Sequence, residues 1–326
     1  MPYAVTPLAF KPHRLDGLSD RLLESHYEND YGGAVRRLNA IEARLAAIDW
    51  TALPGYEVPG YELRGLKREE LIAANSMLLH EVYFDALGGS GGEPEGELAA
   101  AILRDFGSLE AWRREFVALG KALAGGSGWV VLAWSERRRR LLNLWAGDHA
   151  HGLADGQPIL ALDMYGHAYH LDFGADAGAY VEAVLRNLDW ARVARRYARA
   201  RGATPPPLET PPPQVSVTEL RAQLADPATA PLVLDVRLAD DLERSGQRLP
   251  GTPWRDMERV EDWAEALPKD RPVVVYCMYG FWVSQDTAAA LRRRGLDVLS
   301  LEGGITAWRA MGWPTTPLER QAEDEA

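Results

Sequence analysis

The sequence is short of three things, and each shortage excludes a class of protein. It holds one cysteine, Cys277, among 326 residues. A single thiol forms no internal disulfide, so the fold relies on its cores, and a reducing compartment such as the cytoplasm is expected. No apolar run approaches the roughly 18 residues that a membrane span needs. The start, MPYAVTPLAFKPHRLDG, lacks the basic stretch, apolar stretch and small-residue cleavage site of a secretory signal. A soluble cytoplasmic chain is the expectation, with no membrane partner. Positive charge is scarce as well: 36 Lys and Arg against 47 Asp and Glu give a formal charge of −11. Neutralising phosphates takes clustered cations, so nucleic acid is not an expected partner. The run Arg137–Arg140 is read as a solvated hairpin tip.

What is present points to two domains, because 326 residues exceed one ordinary core. The boundary is RGATPPPLETPPPQ, residues 201–214. Its two Pro triplets remove backbone donors and favour an extended spacer. Before it, Val35, Leu38, Ile41, Leu45 and Ile48 fall at three- and four-residue spacing, one apolar helical stripe. A second apolar helix is expected over Leu71–Phe84, and the glycines of residues 88–92 then break the chain. Expected strands over Trp129–Trp134, Leu141–Trp145 and Ile159–Asp163 are followed by helices to about Ala200, an α+β order. The expected divisions are a helical half over 1–88, a mixed half over 89–200, the linker over 201–214, a second domain over 215–318 and an acidic tail over 319–326. In the second domain, short Val/Leu runs at Leu232–Val236, Val273–Tyr276 and Val298–Leu301 alternate with helical stretches at Asp286–Arg294 and Ile305–Met311. That alternation predicts a parallel sheet covered on both faces, with chemistry at the carboxyl ends of its strands.

Of seven histidines, several sit where chemistry is plausible. His26 precedes the first helical stripe, His80 lies inside the second apolar helix, and Asp163 and His167 follow the third strand as DMYGH. Each alone reads as readily as a hydrogen-bonded core or loop residue. Together, His26 in SHYENDYGGAVRRLN, His80 in NSMLLHEVYFDAL, GGSGWVVLAW from Gly125 and DMYGHAYHLDF from Asp163 resemble the iron/manganese superoxide dismutases, in order and near the family spacing. The resemblance covers residues 1 to about 200. It implies that His26, His80, Asp163 and His167 bind one iron or manganese ion, with superoxide as substrate. Imidazole and carboxylate donors suit those metals.

Against the family pattern several positions differ. Ser76 stands where a helix often supplies a glutamine that holds the metal-bound solvent. His149 in GDHAHG is expected to take that role, with His151 in reserve. Ala34 replaces a channel-guarding tyrosine, and Asp30 replaces a histidine. Tyr165 replaces a tryptophan that packs by the metal, and Gly166 replaces a glutamate that reaches the neighbouring subunit's metal-binding histidine. A homodimer with a weakened family-type interface is implied, in which Asp30 and His170 are candidates to meet.

Cys277 ends the apolar run VVVYC and opens the loop CMYGFWVSQ. A thiol there is expected to face backbone N–H groups at a helix N-terminus. The helix dipole alone contributes about 0.3–1 kcal/mol, so several loop amides would be needed to activate it. LVLDVR with Asp235 and Arg237, LPGT at Pro250, VVVYC, and LEGGITAW with Gly303, Gly304 and Trp308 resemble the rhodanese family. That resemblance implies that Cys277 takes sulfane sulfur from a donor as a persulfide and passes it to a thiol acceptor. It also implies roles for Gly280 in loop curvature and Ser284 as a hydrogen-bonding partner of the sulfur. Phe281, Trp282 and Val283 separate Gly280 from Ser284, where common sulfurtransferases place an arginine. The reading is a dismutase-like oxidoreductase fused to a persulfide carrier, acting in oxidative-stress defence. Two alternatives are a metal enzyme acting on persulfide or another oxidant, as in chromate stress, and a non-catalytic metal-binding sensor or scaffold.

Overall fold

The computed structural model describes residues 2–49, 60–205 and 212–318. It divides into two compact units, Leu8–Pro207 with Met1–Tyr3, and Leu208–Ala326 with Ala4–Pro7. Residues 206–211 of the expected linker and the whole expected tail, 319–326, lie outside the described residues.

The first unit begins with α1 (Asp20–Ser25), started by Ser19, whose hydroxyl accepts from the Leu22 amide. The chain then winds as a π-helical turn over His26–Tyr31 before continuing as α2 (Gly32–Ala46). Such a turn spreads more residues around the axis than an α-helix, and it is common where side chains must be aimed at a site. Here it follows α1 directly, so the helical structure starts well before the stripe that the sequence shows from Ala34. Helix α3 (Gly60–Asp85) runs for 26 residues, longer than the expected Leu71–Phe84, and packs against α2. Its buried residues Ala73, Met77, His80 and Phe84 recur at three- and four-residue spacing.

The second half of this unit contains α4 (Gly96–Phe106) and α5 (Leu109–Ala122), then strands β1 (Trp129–Ser135), β2 (Arg140–Ala146) and β3 (Gly156–Asp163). Helices α6 (His170–Phe173), α7 (Ala177–Arg186) and α8 (Trp190–Ala200) complete it. The sheet is antiparallel in the order β2-β1-β3. Central β1 is buried at every position. Fully burying each of its large apolar side chains stabilises the fold by roughly 1.5–3 kcal/mol. The register sets Trp129 opposite Asp163, so the last residue of β3 faces the first of β1.

The second unit runs β4 (Gln214–Val215), α9 (Val217–Gln223), β5 (Leu232–Asp235), α10 (Ala239–Ser245), β6 (Gln247–Arg248), α11 (Val260–Trp263), β7 (Val273–Tyr276), α12 (Trp282–Arg292), β8 (Val298–Leu301), α13 (Gly304–Ala310) and β9 (Thr316–Pro317). Helix α9 starts from a full capping box of Ser216 and Glu219. The main sheet is parallel, in the order β4-β8-β7-β5. Strand β7 is central and wholly buried, as a sheet covered on both faces requires. The α+β first unit and the parallel α/β second unit both match the sequence-based expectation. Helix α12, however, begins at Trp282 rather than near Asp286, which bears on Cys277.

Candidate metal centre

Four side chains from three regions converge in the first unit. His26 comes from the π-helical turn, His80 from α3, Asp163 from the end of β3 and His167 from the short turn after it. One ligand atom from each lies within 4.8 Å of all the others. Asp163 Oδ2 is 3.1 Å from His26 Nε2, 3.4 Å from His80 Nε2 and 3.2 Å from His167 Nε2. Two donors about 2.1 Å from one ion and 90–120° apart stand about 3.0–3.6 Å from each other. The three separations fall in that window, so the cluster has the dimensions of a ligand set.

Two of the three imidazoles are oriented by their other nitrogen, whereas His26 Nδ1 is buried without a hydrogen-bond partner among the described residues. His80 Nδ1–H donates to the Ser76 carbonyl oxygen at 2.7 Å, which leaves Nε2 with its lone pair aimed inward. That Nε2 is buried and has no hydrogen-bond partner among the described residues, a costly condition unless a cation completes it. His167 Nδ1 lies 3.4 Å from Asp30 Oδ1, an arrangement that turns its Nε2 toward Asp163. Asp163 Oδ1 accepts the Tyr165 amide at 2.8 Å, so Oδ2 is free to face the histidines.

The electrostatics follow from burial. His26 is lowered to about 4, chiefly because its charged form is desolvated, against the pull of Asp163. Burial pushes Asp163 up, but the close imidazoles, His167 and His26 by hydrogen bonds and His80 by proximity, outweigh it and hold the carboxyl well below its usual range. Burial likewise opposes the charge on His167, yet Asp163 and Asp30 together raise it. Asp30 itself is raised, first by burial, with the neighbouring His167 working against that. The result is a buried carboxylate surrounded by imidazoles, with His167 at the partly exposed edge.

A ring stack adjoins the cluster. Tyr165 lies between His149 and His167, with centroids 4.6 Å and 5.4 Å away and interplanar angles of 8° and 11°. Trp129 Nε1–H donates to His149 Nδ1 at 2.9 Å. Neutral His149 therefore carries its proton on Nε2. Burial first of all lowers His149 to about 4, so it stays neutral near pH 7. Asn75 also donates to the His149 carbonyl oxygen, which fixes the backbone at that position. His151, by contrast, has a 57% exposed side chain and stacks on Trp145. His170 is exposed beside Tyr169, whereas Asp30 faces His167 of its own chain. Ser76 is buried, with its hydroxyl 3.5 Å from His80 Nδ1.

Sequence reasoning missed Tyr31. Its ring stacks beside His80 with centroids 6.1 Å apart, and its hydroxyl donates to Glu81 Oε1 at 3.0 Å. The position where a tyrosine was sought, Ala34, is a buried alanine on α2. The signal that could have found Tyr31 is the π-helical spacing, which puts residues four and five after His26 near its own face.

In the second unit, Cys277 follows β7 and is 5% exposed. Its Sγ lies 3.2 Å from Ser284 Oγ and 4.0 Å from the Phe281 carbonyl oxygen. A hydroxyl and a carbonyl thus stand beside the sulfur, and α12 starts early enough that the Gln285 amide bonds the Phe281 oxygen. Gly280 has φ +76°, and a Cβ there would meet the Gly303 amide nitrogen at 2.6 Å. Only glycine fits that approach. Asp235 and Arg237 form a buried ion pair; Tyr276 donates to the carboxylate and the guanidinium donates to the Gln247 carbonyl oxygen. Their role is to tie the end of β5 to β7 and to the Gln247 backbone.

Comparisons with known proteins agree with both halves. Residues 94–196 match the model of the iron/manganese superoxide dismutases, C-terminal domain. Residues 216–311 match the rhodanese-like domain. A superoxide dismutase [Fe] of Cupriavidus metallidurans is 59% identical over 200 residues, which cover 61% of this chain and 98% of that protein. Superoxide dismutase [Mn] 2 of Haloferax volcanii is 33% identical over 203 residues, again 61% of this chain and 98% of the relative. A superoxide dismutase [Fe] of Aquifex aeolicus is 32% identical over 195 residues, 59% of this chain and 90% of its own length.

Proposed function

Because the chain belongs to the iron/manganese superoxide dismutase family through its first 200 residues and carries a rhodanese-like domain after them, we propose that it disproportionates superoxide at one metal ion and carries sulfane sulfur on Cys277. The ion, iron or manganese, would be held by His26, His80, Asp163 and His167. The observation that carries this reading is the convergence of three imidazole Nε2 atoms on Asp163 Oδ2 at 3.1–3.4 Å. The buried, unpartnered His80 Nε2 supports it. When bound, iron or manganese supplies one-electron chemistry, oxidising one superoxide and reducing the next.

The protein's own residues supply the rest. Asp163 offers an ionised oxygen, and Ser76 and Asp30 fix which nitrogen of His80 and His167 points inward. The half-cycle that makes peroxide consumes protons. His149 presents Nε2–H beside His80 and Tyr165 and is kept in that form by Trp129. It is the chain's candidate to hold a solvent molecule and pass a proton. His151, exposed and stacked on Trp145, is a weaker candidate. In the second unit, the Cys277 thiolate would attack the outer sulfur of a persulfide donor. The donor's S–S bond breaks to release its thiol, and a new S–S bond forms on Cys277. Ser284 and Gly280 hold that loop, Asp235 and Arg237 brace the strand ends beneath it, and residues 201–214 serve as the linker between units.

Among the described residues no helix is long and apolar enough to cross a membrane, and a single cysteine suits a reducing compartment; the cytoplasm is the proposed location. A homodimer is also proposed. The His167 side chain is 29% exposed in the single chain, and a Cβ at Gly166 would meet nothing within 4 Å, so that rim has room for a second subunit. The test is the superoxide-decay rate of protein reconstituted separately with iron and with manganese, beside His80→Ala. Rapid metal-dependent decay that the substitution abolishes is expected. Stoichiometric metal without decay would refute the dismutase reading.

A further inference from the structure

The second unit contains a cleft that the sulfur chemistry does not use. It has a volume of about 350 Å³, and its walls come from α9, the start of β5, the turn at residues 249–252, and α13. Its floor includes Leu232 and the buried Trp308, and Pro250 and Thr252 form one side. Arg221 and Arg271 line it as well. The Arg221 guanidinium lies over the Trp308 ring, 5.9 Å from its centroid.

Charge and order both mark this cleft. Arg221 and Arg271 are exposed beside the same concavity and have no ion-pair partner among the described residues, so two guanidinium groups face one hollow. The turn that walls the cleft is also rigid. Thr252 Oγ1 donates to the Leu249 carbonyl oxygen at 2.7 Å, and the Leu249 amide donates to the Tyr276 hydroxyl at 3.1 Å. The Trp308 ring is held by its own N–H, which donates to the Pro314 carbonyl oxygen at 3.0 Å. The cleft is thus preformed, with mixed polar and apolar walls and positive charge at its rim.

Its place in the fold sets it apart from Cys277. Arg271 precedes β7 and Cys277 follows it, so they stand at opposite ends of the strand, about 20 Å apart at about 3.3 Å per residue. A molecule in the cleft does not touch the sulfur. We propose that the cleft binds one small organic anion per chain, with a carboxylate or phosphate head between Arg221 and Arg271 and an apolar body against Leu232 and Trp308. Guanidinium groups suit either head, because both offer paired oxygens to a planar donor fork.

The test uses the full chain and the fluorescent anion anilinonaphthalene sulfonate, which joins a charged head to apolar rings. Saturable binding of one probe per chain is expected, weakening as salt rises. Arg221→Gln and Arg271→Gln should each weaken it about tenfold or more, since a charge-assisted bond is lost. Arg293→Gln, an exposed arginine outside the cleft, should leave it unchanged. Uncharged phenylnaphthylamine should bind far more weakly than the sulfonate. Competition by benzoate and by phenyl phosphate then tells which head is preferred. Unaltered thermal unfolding of the variants shows that their fold is kept. Absence of saturable binding overturns the proposal, as does equal binding of the uncharged probe or binding indifferent to both substitutions.

Discussion

The two candidate reaction centres of this chain are prepared to different degrees. In the first unit three of the four candidate ligands have their orientation set from behind: His80 by the Ser76 carbonyl, His167 by Asp30, Asp163 by the Tyr165 amide. His149 is set in the same way by Trp129. In the second unit the reacting atom is buried, and its neighbours are a hydroxyl and a carbonyl oxygen. Both of those neighbours belong to the loop and first turn that follow the thiol. A ligand set gains from rigidity, because the ion's geometry is fixed. A sulfur carrier has to meet both a donor and an acceptor, and a loop that opens suits that task.

Perturbing the rigid centre should give the largest effects. His149→Ala is expected to slow superoxide decay about 100-fold in the metal-loaded protein while leaving metal content unchanged. Equal decay rates would remove His149 from the mechanism and sharpen attention on Tyr31. Asp30→Asn should weaken metal affinity by about 10-fold, read by competition with a chelator, because it removes the carboxylate behind His167. If affinity is unmoved, the contrast between the two centres loses one of its supports.

At the cysteine loop the expected effect is on stability. Gly280→Ala forces a side chain into a left-handed backbone against the Gly303 amide, at a cost of at least about 1–2 kcal/mol. Its thermal unfolding should fall by several degrees, with metal content of the first unit intact. The smallest effect concerns pH. Burial lowers His26 and His149 to about 4, below the ordinary value near 6.5. The folded state therefore resists protons that the unfolded chain accepts. Stability from this source is full above about pH 6.5 and is lost as pH falls toward 4. In metal-free protein the fall of the unfolding temperature over that window should be shallower for His149→Gln than for the native chain. An equal slope would show that His149 is not desolvated.

Much of this was legible in the sequence, for identifiable reasons. The three antiparallel strands and the parallel sheet were visible because Val, Leu and Trp cluster in short runs bounded by turns. His26, His80, Asp163 and His167 could be singled out together because each sits in a longer matching stretch. The hydrogen bond that sets His149 was not legible, since Trp129 reads as one more apolar strand residue until its indole N–H is placed. The proximity of Asp30 to His167 was hidden by the π-helical turn, which no hydrophobic stripe announces. The start of the helix after the thiol differed by four residues: Phe281 and Trp282 look like loop, yet Trp282 opens α12.

The π-helical turn over His26–Tyr31 also sets how this segment can vary in length. Deleting one residue from it would let the backbone relax into an ordinary α-helix. Everything upstream would then turn by about 100° and move about 1.5 Å along the axis. Leu22 and Leu23, now buried, would swing away from the core, and His26 would no longer share a pocket with Asp163. Outside His26 and Asp30, residue identities in the turn can drift more freely than residue number. Among natural or engineered variants, insertions and deletions should therefore be rarer here than in surface loops such as the hairpin tip at residues 136–139.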